Sequence, residues 1–269
     1  MDNLDRLKDF IRQYNKAAVA FSGGVDSSFL LKVSSDVLGA ENVIAITLKA
    51  AVNPEAEIEE AVELAELTGV KHIILPMDVM SIPGFRENPT DRCYICKKAI
   101  FERVISEARK YGISSIFDGT NAEDVKDFRP GMKALGELGI ISPLRECGLG
   151  KSEIRKYSRE YGIKTWDKPS MACLASRVPY HEPITEEKLK MIGKSEGLLQ
   201  AMGFRQFRVR CHGGIARIEV APEEMKKLLD INIMNDISDK LKSTGFQYVA
   251  LDMQGYRTGS LNEILNLEE

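Results

Sequence analysis

The stretch Ala17–Leu31, AAVAFSGGVDSSFLL, decides how the rest of this 269-residue chain is read. Ala17–Phe21 is a short apolar run of the kind that forms a buried strand. Ser22-Gly23-Gly24-Val25-Asp26-Ser27-Ser28 follows at once, and then the apolar start of a helix. Glycine at positions 23 and 24 lets the backbone turn sharply and approach a ligand without a Cβ in the way. Ser27 and Ser28 place hydroxyls at the helix start, beside N–H groups that have no partner inside the helix. Unpaired amides and the positive end of the helix dipole make such a turn an anion cradle. Asp26 is the anomaly, because a carboxylate in a phosphate site repels its ligand unless a cation bridges them. The residues therefore imply Mg²⁺ travelling with the phosphate, held by Asp26 directly or through water.

No lysine follows the glycines, so the loop is not of the Walker type, and the spaced glycines of the dinucleotide fingerprint are absent too. The plain alternative is a strand–turn–helix with a glycine-rich turn and no ligand. SGGVDSS instead resembles the PP-loop, SGGxDS, of the ATP pyrophosphatases. That resemblance implies cleavage of ATP between the α- and β-phosphates, with AMP left on a carboxylate or carbonyl oxygen.

Working outward, the chain repeats a strand–helix rhythm. Asn3–Tyr14 has helical apolar spacing, and Ser27–Leu38 reads as a helix. Val43–Leu48 follows as a second buried strand, Pro54–Thr68 as an amphipathic helix and Lys71–Pro76 as a third strand. A helix over Cys96–Tyr111 then leads to a strand at Ser115–Asp118. This alternation implies a parallel sheet covered on both faces, with ligands at the carboxyl ends of its strands. Thr47 closes the second strand, where an adenine or ribose would lie. Asp118-Gly119-Thr120-Asn121 closes the fourth, so Gly119 and Thr120 are candidates for nucleotide contact, although DGTN is also ordinary turn chemistry. The segment Asp127–Gly150 is read as a loop and a short helix, followed by a helix over Lys151–Tyr161. Asp167–Pro183 is a long loop with no period, of a length that usually serves function. After Pro183 come a helix over Thr185–Met202 with Thr185 as N-cap, and a hairpin around His212-Gly213-Gly214. Helices over Pro222–Asp230 and Ile233–Ser243 and a strand over Tyr248–Leu251 complete the chain. The expected organisation is an α/β domain over residues 1–180 and a small α+β domain over 181–269, the latter lean enough to draw on oligomer contacts.

Composition narrows the class. A net charge of −3 argues against a general nucleic-acid scaffold, and no apolar run is long enough to span a bilayer. The start MDNLDRLKDF lacks a signal-peptide pattern, so a cytoplasmic, membrane-free protein is expected. In a reducing compartment the five cysteines point to metal binding or catalysis rather than disulfides. Cys93 and Cys96 form a C-x₂-C at a helix start, where a thiolate is favoured. Cys173 lies in the long loop, PSMACLASR. Three thiolates would leave one position open on a 4Fe–4S cluster or on Zn²⁺. Two unconnected reduced cysteines and a buried one are the plain alternative. Cys211 reads as packing within a strand; Cys147 has no partner spacing. Arg208 and Arg210 alternate along one strand, so both face the same side and suit a forked grip on an anion. Arg177, four residues beyond Cys173, is a further candidate for holding nucleotide or substrate.

SGGVDSS, RCYICKK, DGTNAEDVKDFRPG, SPLRECGLGKSEIR, PSMACLASRVPY, FRVRCHGGIARIEV and YVALDMQGYRTGSLNE together resemble the LarE family, in order and over nearly the whole chain. These are PP-loop sulfur transferases of nickel-pincer nucleotide cofactor assembly. The resemblance implies an adenine nucleotide alpha hydrolase-like fold. It also implies adenylation of a carboxylate of pyridinium-3,5-biscarboxylic acid mononucleotide and its replacement by a thiocarboxylate. One branch sacrifices the sulfur of the cysteine matching Cys173; another holds a 4Fe–4S cluster on three cysteines, matched here by Cys93, Cys96 and Cys173. By resemblance Arg208 and Arg210 bind substrate phosphate, Glu196 and Glu219 lie near them, and the protein is a homo-oligomer, a hexamer. Solvated charges on a helix and a hairpin are the alternative reading of the two glutamates. A tRNA thiolase is the nearest rival and would present a strongly basic surface. A nucleotide sensor without turnover is a second rival, and the intact SGGVDSS speaks against it.

Overall fold

The computed structural model describes residues 2–53, 55–126, 130–169, 172–257 and 259–267. The chain forms two compact units, one of residues 1–82 and 91–171, the other of residues 83–90 and 172–269.

The first unit is built on four parallel strands, β1 (Ala17–Ala20), β2 (Val43–Lys49), β3 (Lys71–Pro76) and β4 (Ile116–Phe117), in the order β3-β2-β1-β4. β1 pairs on one side with β2, Val19 opposite Ala45, and on the other with β4, Val19 opposite Phe117. Ile141 adds a single parallel bridge beyond Phe117. Alternation of side chains splits the strands between two cores. Ala17, Val19, Val43 and Ala45 join α1 (Asn3–Ile11), α2 (Val25–Leu38), α3 (Glu55–Thr68) and later parts of the unit on one face. Ala18, Ile44 and Ile46 join α4 (Arg92–Arg109) and α5 (Pro130–Glu137) on the other. The short α6 (Pro143–Glu146) and then α7 (Lys151–Glu160) send Leu144, Ile154 and Tyr157 into the first of these cores. Covering both faces is why β1 reads as a continuous apolar run rather than an alternating one. Because β1 is central and its neighbours lie to either side, the strand order reverses at its carboxyl end, the position where sheets of this kind bind ligands.

α4 begins at Arg92, four residues before the expected start. Asp91 O accepts from the N–H groups of Tyr94 and Ile95, and nothing in RCYIC interrupts the helix. Cys93 and Cys96 therefore both sit within its opening turns. Pro54, the expected helix start, and residues 127–129 of the loop before α5 lie outside the described residues.

The second unit holds the expected hairpin. β5 (Phe207–His212) runs antiparallel to β6 (Ile215–Val220), with Arg208 opposite Glu219 and Gly213 in the left-handed region that the tight turn requires. β7 (Tyr248–Leu251) lies parallel to β6 on its far side. α8 (Glu186–Ala201) packs on β5 and is N-capped by Thr185, whose hydroxyl accepts from Lys188 N–H at 3.2 Å. Residues 222–229 form a 3₁₀ helix rather than the expected α-helix, because the Glu224 carboxylate turns back to accept from the N–H groups of Arg205 and Gln206. α9 (Ile231–Ser243) follows, capped by Asp230. Asn88, fully buried at a left-handed φ of 54°, straps residues 178–182 by donating to the carbonyls of Val178, Pro179 and Glu182. Among the described residues no helix is long and apolar enough to cross a membrane.

Candidate functional site

The loop between β1 and α2 is pre-shaped by its own serines. The Ser22 hydroxyl accepts from Gly24 N–H at 3.3 Å, and the Ser27 hydroxyl donates to Gly24 O at 3.2 Å. Ser27 Oγ also accepts from Ser22 N–H at 3.3 Å and lies 3.1 Å from Ser22 Oγ. Gly23 has a φ of +71°, and a Cβ there would come within 3.0 Å of Ala61 Cβ. Only glycine fits both the conformation and the space. Gly24 takes the N-cap position of α2 with no side chain over the helix end, and the buried Ser28 hydroxyl makes no hydrogen bond.

Asp26, in the first turn of α2, is a partly buried carboxylate with an incomplete set of partners. Its Oδ1 is buried without a hydrogen-bond partner. Its Oδ2 accepts from Lys151 Nζ at 2.5 Å and from Asn121 Nδ2 at 3.4 Å. Burial pushes the Asp26 carboxyl above its ordinary pKa, and the Lys151 ammonium only partly offsets this. An orphaned carboxylate oxygen beside an amide-lined helix start fits a bound cation, the role the sequence assigns to Mg²⁺. Lys151 was not among the candidates, since it lies 125 residues from Asp26. Its signal is a lysine directly after Gly150 at the start of a helix, within the motif GLGKSE.

The other strand ends meet at the same edge. The Thr47 hydroxyl donates to Phe21 O at 2.7 Å and lies 2.8 Å from His72 Nε2, so it ties β2 to the loop entrance. Burial lowers the His72 pKa. Gly119 is pressed against the loop, where a Cβ would sit 3.0 Å from Ser27 N. Its absent side chain serves the approach of β4's end to α2. The Thr120 hydroxyl donates to the Asp118 carboxylate, which also accepts from Ser142 Oγ at 2.5 Å. The structure thus brings Ser22, Gly23, Gly24, Asp26, Ser27 and Ser28 together with Gly119, while the hydroxyls of Thr47 and Thr120 hold the scaffold.

Of the cysteines, Cys93 is exposed and Cys96 half-buried on α4, with Arg92 Nη2 3.8 Å from Cys93 Sγ. Cys173, in the second unit, is exposed. Among the described residues no group of three His, Cys, Asp or Glu side chains is placed to hold a metal ion. Cys147 and Cys211 are buried, and burial pushes both thiols up, away from the reactive thiolate.

The second unit gathers its candidate residues into one buried cluster. Arg177, fully buried, donates through Nε and Nη2 to the two oxygens of Glu196 at 2.8 and 2.9 Å. Its Nη1 donates to the carbonyls of Ala172 and Cys173 at 2.7 and 3.2 Å, which fixes the backbone at Cys173. Glu196 also accepts from Val209 N–H at 3.0 Å, satisfying the outer edge of β5. Arg210 repeats the fork on Glu219, at 2.9 and 3.0 Å, and donates to Ser176 O and Ser260 Oγ. Neither glutamate is a solvated surface charge. Arg208 shares Arg210's face, as the alternation implies, and its guanidinium lies 4.9 Å from the Tyr256 ring centre. Burial, reinforced by the Arg177 charge, holds the Arg208 pKa below its ordinary value. A cation in that state gains from an anion brought beside it.

Comparison with known proteins gives one family model and three relatives. The NAD synthase family model matches residues 3–88. The chain is 35% identical to the pyridinium-3,5-bisthiocarboxylic acid mononucleotide synthase of Lactiplantibacillus plantarum, over 95% of this chain and 92% of that protein. It is 39% identical to an uncharacterised protein of Synechocystis sp., over 97% of each. An uncharacterised protein of Methanocaldococcus jannaschii is 30% identical over 96% of this chain and 98% of its own.

Proposed function

The chain belongs to the LarE family of PP-loop sulfurtransferases, that of the pyridinium-3,5-bisthiocarboxylic acid mononucleotide synthase, and from that premise we propose its reaction. It adenylates a carboxylate of pyridinium-3,5-biscarboxylic acid mononucleotide with ATP and converts the activated carboxylate to a thiocarboxylate. The observation that carries this reading is the pre-shaped Ser22–Ser28 loop with the orphaned Asp26 Oδ1, at the carboxyl edge of a parallel sheet.

In the first step a carboxylate oxygen attacks the α-phosphorus of ATP, and pyrophosphate leaves with the electron pair of the bond that breaks. The loop amides and Gly24 at the start of α2 orient the phosphates, and Asp26 would hold Mg²⁺, whose charge offsets that of the departing pyrophosphate. In the second step a sulfur nucleophile adds to the acyl carbon and AMP leaves with the carbon–oxygen electron pair. The substrate is a polyanion, and in the second unit Arg208 is assigned to its phosphate, with Arg210 and Arg177 held beside it on Glu219 and Glu196.

By resemblance Cys93, Cys96 and Cys173 would hold a 4Fe–4S cluster, which would supply sulfide for the transfer. The C-x₂-C at the start of α4 supports this assignment. The exposed Cys173 thiol supports the second reading, in which that cysteine donates its own sulfur. One experiment on anaerobically purified protein tests both levels. Pyrophosphate release is measured with ATP and either the pyridinium substrate or tRNA, beside iron and acid-labile sulfide. Release with the pyridinium compound is expected, together with about four irons per chain. Release with tRNA alone overturns the substrate assignment. Iron-free protein that still forms one thiocarboxylate per chain overturns the cluster and leaves Cys173 as donor.

A further inference from the structure

We infer that His72 is a positioning residue for the loop between β1 and α2, standing on β3 at the head of a one-way chain of hydrogen bonds that ends at Gly24. Its role toward nucleotide rests on the ATP-dependent adenylation proposed above, whereas its tautomer does not.

The chain begins with strand register. His72 pairs with Ala45 of β2, and Thr47 lies two residues further along the same face. His72 Nε2 is 2.8 Å from Thr47 Oγ1, which lies 2.7 Å from the Phe21 carbonyl oxygen. A hydroxyl has one proton to give, and a carbonyl can only accept. The Thr47 proton therefore goes to Phe21 O, and the proton between His72 and Thr47 belongs to Nε2. This fixes the Nε2–H tautomer, with Nδ1 bare in the neutral ring. Burial lowers the His72 pKa and so keeps the ring neutral at neutral pH. The Phe21 ring stands across the imidazole, 5.8 Å between centres at 76°.

The next peptide group carries the direction onward. Its carbonyl, Phe21 O, accepts from Thr47, and its N–H, that of Ser22, donates to Ser27 Oγ at 3.3 Å. The Ser27 hydroxyl in turn donates to Gly24 O at 3.2 Å. Gly24 O also accepts the first helical bond of α2, from Ser28 N–H at 3.0 Å. Four hydrogen bonds thus run one way, from His72 through Thr47, the Phe21–Ser22 peptide and Ser27 to the N-cap of α2. Bonds aligned in this manner polarise one another, so the first donor strengthens the last. The loop is held in shape from the sheet before any nucleotide arrives. Without the Nε2 donor the Thr47 hydroxyl is no longer oriented, and the Phe21–Ser22 peptide loses its fixed anchor. Nucleotide must then order the loop itself, a cost that falls on binding rather than on the chemical step.

The first measurement is the nitrogen NMR spectrum of full-length protein isotope-labelled in its histidine rings. Of the three histidines, His72 is identified by the signals lost in His72→Gln. A protonated-type Nε2 and a bare Nδ1 are expected; a bare Nε2 overturns the proposal. The second is pyrophosphate release with the pyridinium substrate at varied ATP. His72→Phe and Thr47→Val are each expected to raise the KM for ATP about 3- to 10-fold, the scale of one lost hydrogen bond, with a smaller change in kcat. The double variant is expected to be no worse than the poorer single one, since both cut the same chain. His72→Gln offers an amide N–H in place of Nε2–H and is expected to recover most of the affinity. A folded His72→Phe protein with wild-type KM overturns the proposal, as do additive losses in the double variant. Gln performing no better than Phe overturns it too, in favour of ring packing alone. If Phe fails to fold in a thermal melt, the tautomer and the Thr47→Val kinetics still decide. Wild-type protein that releases no pyrophosphate overturns the adenylation reading, and the tautomer then judges the chain independently.

Discussion

The two units handle buried charge in opposite ways. In the second, Arg177–Glu196 and Arg210–Glu219 are forked pairs, closed off from water, with further donors and acceptors satisfied by backbone carbonyls and the edge of β5. In the first, Asp26 leaves one oxygen without a partner and holds its single lysine at a partly open mouth. A closed network fixes a shape, since every group that moves leaves a buried charge behind. An incomplete one is poised to take a ligand, because the missing partner can come from outside.

Four substitutions sharpen or break that contrast. Arg177→Met strands the Glu196 carboxylate in the core and is expected to cost about 3–5 kcal/mol of stability in denaturant melts. Adding Glu196→Gln, which still accepts from Val209 N–H, restores part of it. A loss below 1 kcal/mol would mean that water reaches the pair and the closed network is open after all. Gly119→Ala is expected to cost about 1–3 kcal/mol, because its Cβ would press on Ser27 N and push the end of β4 from the loop. Gly197→Ala in α8 has open space around it and is expected instead to stabilise by about 0.5–1 kcal/mol. Equal effects at the two glycines would remove the argument that close backbone approach builds the first site.

The smallest effect concerns pH and appears in both units. Burial lowers the pKa of His72 in the first and of His212 in the second below the ordinary 6.5. Between that value and the lowered one, the unfolded chain binds more protons than the folded chain. Stability therefore falls as pH drops below 6.5, by up to about 1.4 kcal/mol per pH unit for each histidine. Chemical denaturation between pH 7 and pH 5 measures the slope, and His72→Gln and His212→Gln should each flatten it. An unchanged slope in either variant would show that its histidine stays solvated.

Much of this was legible in the residues. The apolar runs Ala17–Phe21 and Val43–Leu48 became strands because burial on both faces requires uninterrupted apolar side chains, while Lys71–Pro76 became the edge strand with Leu75 buried and Ile74 exposed. Thr185 caps α8 and Gly213 turns the hairpin, since both tasks are set by local backbone chemistry. α4 starts at Arg92 rather than at the expected Cys96 because helix ends depend on a few backbone hydrogen bonds that composition does not fix.

The sequence by itself determined the elements, the loop that turns from β1 into α2, and the family to which the chain belongs. Each of these depends on neighbours along the chain or on motifs in order. Only the tertiary structure decided which groups share a charge. Lys151 meets Asp26 across 125 residues, Arg177 meets Glu196 across 19, and Asn88 straps carbonyls some ninety residues away. Gly119 proved to matter for the backbone packed against it. Such pairings follow from the order of strands in the sheet and the packing of helices on it. A buried charge takes whatever partner the fold brings within reach, however distant along the chain.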